Sequence, residues 1–181
     1  NDVYNFRQRG PGWTPIASND LLVPQLAARS GEVGSSVAID GNTIVVGARD
    51  YDNRGAVFVF TTADGGVSYD LQAVLQSDDI KSADLFGASV ALSGDSLVVG
   101  APGHDSASAQ NVGAVYFFQR LGESWTQTSD FVSGTTGAGL GTDVDIFGAT
   151  AIVGAPGANT VYFYDYNGAT WGSQHSQSIT G

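Results

Sequence analysis

Short apolar runs, most of them β-branched or aromatic, alternate along the chain with clusters of Gly, Asn, Asp and Ser. The continuous run Leu97-Val98-Val99 predicts a strand that is buried on both faces. The alternation in Ser89-Val90-Ala91-Leu92 instead predicts a strand with one solvated face. No segment keeps a helical period over the length that an amphipathic helix needs. The pattern therefore predicts an all-β fold.

One stretch of this pattern occurs three times in the same register. Each copy begins and ends on Gly with a spacing of 13 residues, at Gly34 and Gly47, Gly87 and Gly100, and Gly141 and Gly154. Successive copies start 53 and 54 residues apart. A period this regular indicates a repeat protein in which each copy forms one structural unit.

Each unit has an aromatic-rich second half. Phe118 precedes Trp125 by seven residues, and the same interval joins Phe6 to Trp13 near the start of the chain. The chain therefore opens with the second half of a unit. In the first complete unit we predict four strands, near 34–40, 43–48, 55–61 and 68–77.

Four antiparallel strands in each unit of this length are typical of a β-propeller blade. We predict about three and a half blades in a partial β-propeller: the outer half of a blade at 1–30 and complete blades at 31–80, 81–135 and 136–181. Blades narrow toward the axis, so Gly87 and Gly100 are expected where two backbones approach closely. Phe86 is expected to fill the wedge between blades, and Pro102 to end a strand because it cannot donate to the ladder.

Phe86-Gly87 together with Gly100-Ala101-Pro102 resembles the FG-GAP repeat, the blade unit of integrin α-subunit propellers. The resemblance is closest to the bacterial and algal members that lack the calcium insertion, and it covers nearly the whole chain. Val33-Gly34 and Leu140-Gly141 stand in for Phe-Gly in the other two units. The resemblance implies an integrin-like propeller, with cell adhesion or protein binding as its role and an extracellular or cell-surface location. It does not imply catalysis.

Integrin-like blades often hold calcium between their first two strands, but these loops carry one carboxylate or none, as in Ser93-Gly94-Asp95. Calcium takes about 6–8 oxygen ligands, so the family's metal site is not expected here. A two-residue hairpin turn explains these loops better.

Asp50, Asp52 and Asn53 form a second, weaker candidate for a cation, although Arg49 and Arg54 could neutralise those acids. We therefore expect no cofactor, with calcium as the alternative.

The chain is acidic, with a formal net charge of −11 and seven Lys and Arg residues. This balance argues against nucleic acid as a partner, since phosphates need a basic footprint. There is no Cys, and no apolar run approaches the length of a membrane-spanning helix. Because the chain starts at Asn1 and opens with half a unit, we expect a processed product or a piece of a longer propeller.

The loop after the second strand of each unit varies in length over a constant scaffold, which is where recognition usually occurs. The two residues that bound this loop are 8 positions apart in the first unit (Gly47 and Gly55), 13 in the second (Gly100 and Gly113) and 5 in the third (Gly154 and Asn159). The candidate ligand-binding residues in these loops are Asp50, Tyr51, Asp52, Asn53, His104 and Asp105.

Pairing His104 with Asp105 as a catalytic dyad would leave the nucleophile unidentified, so we expect no enzyme. The sequence favours a non-enzymatic recognition or adhesion module with a protein or glycan ligand. The alternative is a structural building block whose partner is a further copy of itself, in a ring or a filament.

Overall fold

The computed structural model describes residues 6–15 and 31–178. It consists of an antiparallel hairpin and three four-stranded antiparallel sheets, which confirms the predicted all-β fold of propeller blades. The hairpin is formed by β1 (Phe6–Arg9) and β2 (Gly12–Pro15). The rest of the predicted outer half-blade, residues 1–5 and 16–30, lies outside the described residues.

Each sheet is a meander in which consecutive strands are neighbours. The first contains β3 (Val33–Asp40), β4 (Thr43–Ala48), β5 (Ala56–Thr61) and β6 (Asp70–Leu75). The second contains β7 (Ser89–Ser93), β8 (Ser96–Ala101), β9 (Ala114–Leu121) and β10 (Ser124–Val132). The third contains β11 (Val144–Phe147), β12 (Thr150–Ala155), β13 (Thr160–Tyr166) and β14 (Trp171–Ser178).

The first two strands of every blade are joined by a two-residue turn, as the sequence predicts. Asp40 pairs with Thr43, Ser93 with Ser96, and Phe147 with Thr150 across these turns. Gly41, Gly94 and Gly148 each adopt a positive φ, between 54° and 59°, which explains why glycine opens all three turns.

The blades stack through their first strands, since β3 contacts β7 and β7 contacts β11. Phe86 is fully buried between the first and second blades, where its ring lies edge-on to Tyr116 with a centroid distance of 5.3 Å. Between the second and third blades Phe117 stacks on Trp171 at 4.8 Å. The repeating aromatic residues of the sequence therefore fill the wedges between sheets.

The two glycines that frame each repeat meet across the boundary between blades, which we call the seam. A Cβ on Gly47 would lie 2.1 Å from the Gly87 carbonyl oxygen, and one on Gly100 would lie 2.0 Å from that of Gly141. Ser36 and Ser89 donate to the same two carbonyl oxygens, each at 2.8 Å. Each seam thus consists of a Gly–Gly contact and a serine hydrogen bond to the incoming blade.

Candidate functional site

The variable loops lie together at one end of the blades, which we call the upper end. The loops after β4, β8 and β12 are found there, beside the linkers that lead from each blade to the next. The two-residue turns lie at the opposite, lower end. This arrangement follows from the up-and-down order of the strands, because the chain leaves the second strand of every blade at the same end.

The loop after β4 contains a short 3-10 helix, Tyr51–Asn53. Asp52 and Asn53 adopt left-handed backbone conformations with φ of 55° and 62°, which Asp and Asn tolerate better than most residues. Asp52 pairs with Arg54 at 3.5 Å, and both side chains remain close to half exposed. Tyr51 is half-buried, and its ring packs on its own blade with its centroid 5.3 Å from that of Phe58.

The two arginines of this loop have different partners. Arg49 donates to Glu32 in the segment that enters the first blade, and this hydrogen bond raises the pKa of the Arg49 guanidinium. Arg54 is the base that pairs with Asp52. The neutralisation of these acids that the sequence suggested therefore involves Arg54, while Arg49 anchors the loop to Glu32.

The carboxylates beside the blade turns are already bound by protein donors. Asp40 Oδ2 accepts the Gly94 amide at 2.6 Å, and Asp95 Oδ1 accepts Arg120 Nε at 2.7 Å. Across the described residues, no group of three or more His, Asp or Glu side chains converges closely enough to hold a metal ion. The cation hypothesis for Asp50, Asp52 and Asn53 gains no support from this geometry.

In the loop after β8, the two candidate ligand-binding residues His104 and Asp105 have different partners. His104 is 6% exposed, and its Nδ1 lies 2.9 Å from Asp84 Oδ2. Asp105 is exposed and accepts the Asn111 amide at 2.7 Å. Because the His104 side chain is buried beneath the loop, its partner is Asp84 and a ligand at the surface of the loop would not reach the ring directly.

Asp84 and His104 belong to a buried polar network between the first and second blades. Asp84 Oδ2 also accepts the Lys81 amide at 2.9 Å, so one carboxylate oxygen holds both the linker backbone and the His104 ring. Tyr116 Oη donates to Asp79 Oδ2 at 3.2 Å, and burial together with Asp79 raises the tyrosine pKa far above its ordinary value. These contacts fix the linker between the blades and provide no activated nucleophile.

The repeat register supplies a signal for this pair that sequence analysis did not use. Asp84 lies three residues before Gly87, and His104 lies four residues after Gly100. The same two positions hold Gly31 and Tyr51 in the first blade, and Ala138 and Ala158 in the third. Only the second blade therefore has an acid and a histidine at these two positions. Their joint replacement of the residues found in the other blades could have indicated a buried contact between them.

Four-stranded antiparallel sheets that stack through their first strands, with variable loops at one end, define a repeat protein of the β-propeller class. Comparison with protein families finds the FG-GAP repeat at residues 22–60 and 69–118. The chain is therefore an FG-GAP repeat protein. No curated protein sequence matches it.

Among solved structures, the chain is similar to Sqt1 of Saccharomyces cerevisiae, a WD40 propeller-like protein. The TM-score is 0.55 at 14% sequence identity, and the match covers 84% of this chain but only 37% of Sqt1. At this identity the likeness shows the propeller fold alone. No helix among the described residues is long and apolar enough to cross a membrane.

Proposed function

We propose that this chain is a non-enzymatic recognition or adhesion module within a larger extracellular or cell-surface protein, and that its upper end binds a protein or glycan ligand. The observation that carries the proposal is the set of loops after β4, β8 and β12, which differ in length and charge on blades of constant design. FG-GAP repeats are typical of extracellular proteins, and they are typically non-catalytic scaffolds.

The exposed groups of these loops are the proposed ligand contacts. Asp52, Asn53 and Asp105 are exposed at the upper end, and Asp50 is partly exposed beside them. Tyr51 and His104 then have positioning roles, since Tyr51 packs on Phe58 and His104 is buried against Asp84. The ligand would be recognised through polar contacts at the rim of the blades.

Binding of the full chain to a glycan array and to a peptide array tests the proposal. We expect a hit whose signal falls at least tenfold in a variant with Asp52→Ala and Asn53→Ala together. Asp70→Ala is the matched control, because Asp70 is an exposed acid at the lower end of the first blade. Equal loss in both variants, or a hit that neither change affects, would contradict recognition by the upper loops.

Self-assembly is the second candidate, and exposed apolar residues at the two ends of the blade stack favour it. Val37 and Ile39 on β3 are 58% and 66% exposed, and Phe147 at the end of β11 is 90% exposed. Sedimentation velocity over a hundredfold concentration range distinguishes the two functions. A constant sedimentation coefficient agrees with a module, whereas growth into larger species would support a ring or filament.

A further inference from the structure

The third blade carries a pocket at the position where each of the other two blades receives its neighbour. The pocket has a volume of about 430 Å³ and includes Gly154, Ala155, Thr160 and Val161 in its lining. The corresponding residues of the first blade are Gly47, Ala48, Ala56 and Val57, and Gly87 of the second blade lies against them. The pocket therefore lies on the face that corresponds to a seam in the other two blades, and we call it the third-blade pocket.

The residue that forms the seam hydrogen bond is changed in this pocket. Asp143 occupies the position of Ser36 and Ser89, which donate to the carbonyl of the incoming glycine. A carboxylate accepts hydrogen bonds and cannot donate one to a carbonyl oxygen. Asp143 Oδ1 accepts the Val144 amide at 3.1 Å, and within the described part of the chain no base forms an ion pair with Asp143.

The pocket also lacks the glycine that admits an incoming strand. Gly55 and Gly113 form isolated bridges to Phe86 and Leu140 of the following blade, and a Cβ on either glycine would lie about 2 Å from the incoming backbone. Asn159 occupies this position in the third blade. Its side chain therefore stands where the backbone of a following blade would approach.

The backbone acceptor beside this position has a partner within the third blade. In the first two blades the acceptors are the carbonyls of Arg54 and Val112, which bind the Phe86 and Leu140 amides at 3.0 and 3.1 Å. The corresponding carbonyl of Ala158 accepts the Thr160 hydroxyl at 2.9 Å. Thr160 replaces the alanine found in the other blades, so one lone pair of this acceptor is already used within the third blade.

Asp143 is the one charged residue in the described lining of the pocket, and the sequence around it is acidic. No Lys or Arg follows Arg120, whereas five acids do: Glu123, Asp130, Asp143, Asp145 and Asp165. Asp145 is exposed and pairs with Ile152 on the outward face of β11 and β12. An acidic group in the lining of a largely apolar pocket complements a basic side chain with an aliphatic stem.

We propose that the third-blade pocket binds a Lys or Arg side chain presented by an extended segment of a partner protein, in place of a further FG-GAP blade. The aliphatic stem would pack on Ala155 and Val161, and the charged group would donate to Asp143. Gly154 suits this ligand because, among the described residues, only its own blade lies within 4 Å of the place a Cβ would occupy. The pocket shares Pro156 and Asn159 with the loop after β12, whereas the glycan and peptide arrays test Asp52 and Asn53 in the loop after β4, so either experiment can fail without the other.

Three blocked peptides test the proposal on the full chain by NMR, with the amide shifts of Gly154 and Thr160 as the readout. They are GSKSG, the same peptide with norleucine in place of lysine, and the chain's own blade-opening segment, residues 83–90. We expect the lysine peptide to bind about tenfold more tightly than the norleucine peptide, because a hydrogen bond to a charged group carries most of the selectivity. Raising the salt concentration should reduce this preference.

Asp143→Ser is the matched variant, because the other two blades carry serine at this position and so tolerate it. It should abolish the preference for lysine. Together with Asn159→Gly and Thr160→Ala, it should also create binding to the 83–90 peptide. Stronger binding of the 83–90 peptide to the unmodified chain, no binding of the lysine peptide, or an unchanged lysine preference in Asp143→Ser would each overturn the proposal.

Discussion

Replacing Asp84 and His104 with alanine, separately and together, tests whether this buried pair acts as one unit. Both side chains are nearly inaccessible, with 3% and 8% of their side-chain surface exposed, and the contact between them is 2.9 Å. The third blade holds Ala138 and Ala158 at the same two positions, packed within an apolar cluster. The molecule therefore contains both a polar and an apolar version of one seam contact.

The expected costs follow from what each change leaves behind. His104→Ala leaves a buried carboxylate without its ring partner, and loss of one member of a buried pair costs roughly 3–5 kcal/mol. Asp84→Ala removes the acceptor of His104 and of the Lys81 amide, at about 2 kcal/mol. The double variant keeps no unpaired charge, so its cost is about 3 kcal/mol, mainly for the cavity left by the ring. The two residues should then be coupled by about 3 kcal/mol, at the upper end of measured couplings.

Urea unfolding followed by tryptophan fluorescence measures these free energies, provided that the slope with denaturant is the same in all variants. Asp78→Ala is the control, since Asp78 is exposed in the same linker and its removal should change stability by less than about 0.5 kcal/mol. The reasoning is refuted if the single costs add up in the double variant. It is also refuted if His104→Ala costs no more than the Asp78 control.

Three further predictions concern the seams, the linkers and one loop. Ser89→Ala should lower stability by about 1–2 kcal/mol in urea unfolding, and by more than Ser36→Ala, because Ser35 supplies a second donor to Gly87 at 3.3 Å. Ala83→Gly should raise stability by about 1 kcal/mol, because Ala83 is exposed and has a left-handed backbone with φ of 70°. Gly137 has the same conformation with φ of 69°, so Gly137→Ala should lower stability by a similar amount. The two variants should therefore shift Tm in opposite directions. Hydrogen bonds from Ser68 and Thr62 hold the pKa of Asp64 well below its ordinary value. The ionised Asp64 carboxylate therefore stabilises the fold fully above about pH 4. This stabilisation is lost as the pH falls through the lower pKa that Asp64 has in the folded state. An NMR titration should show this low pKa, and Ser68→Ala should raise it.

The blades and their turns could be predicted from sequence because the determining residues are local and repeated. Gly41, Gly94 and Gly148 mark turns whose positive φ requires a permissive residue, and the 13-residue spacing fixes the first two strands of each blade. The predicted strands near 34–40 and 43–48 differ from β3 and β4 by one residue at most. One glycine turn or one apolar run is weak evidence for a strand, but three copies at the same spacing make the prediction of a blade specific.

The site was less predictable because burial at the upper end depends on residues that are distant in the sequence. His104 follows Pro102 and Gly103 in a loop with many small and polar residues, and these neighbours indicate exposure. Its burial arises from Asp84, 20 residues earlier, and from the Tyr116 ring on the next strand. Sequence neighbours describe the loop but not the linker that packs beneath it.

The chemistry of the seams bears on whether the blade stack can join to a second copy of itself. Gly34, Gly87 and Gly141 open the three blades with φ of 88°, 87° and 85°, so Gly34 has the backbone conformation that presents the accepting carbonyl in the other two seams. In a head-to-tail contact this carbonyl would face Asp143, where Ser36 and Ser89 act as donors in the formed seams. Two acceptors repel each other unless a donor lies between them. A second copy would therefore lose the seam hydrogen bond that joins the blades within one chain, and this mismatch favours a recognition module over a self-assembling block.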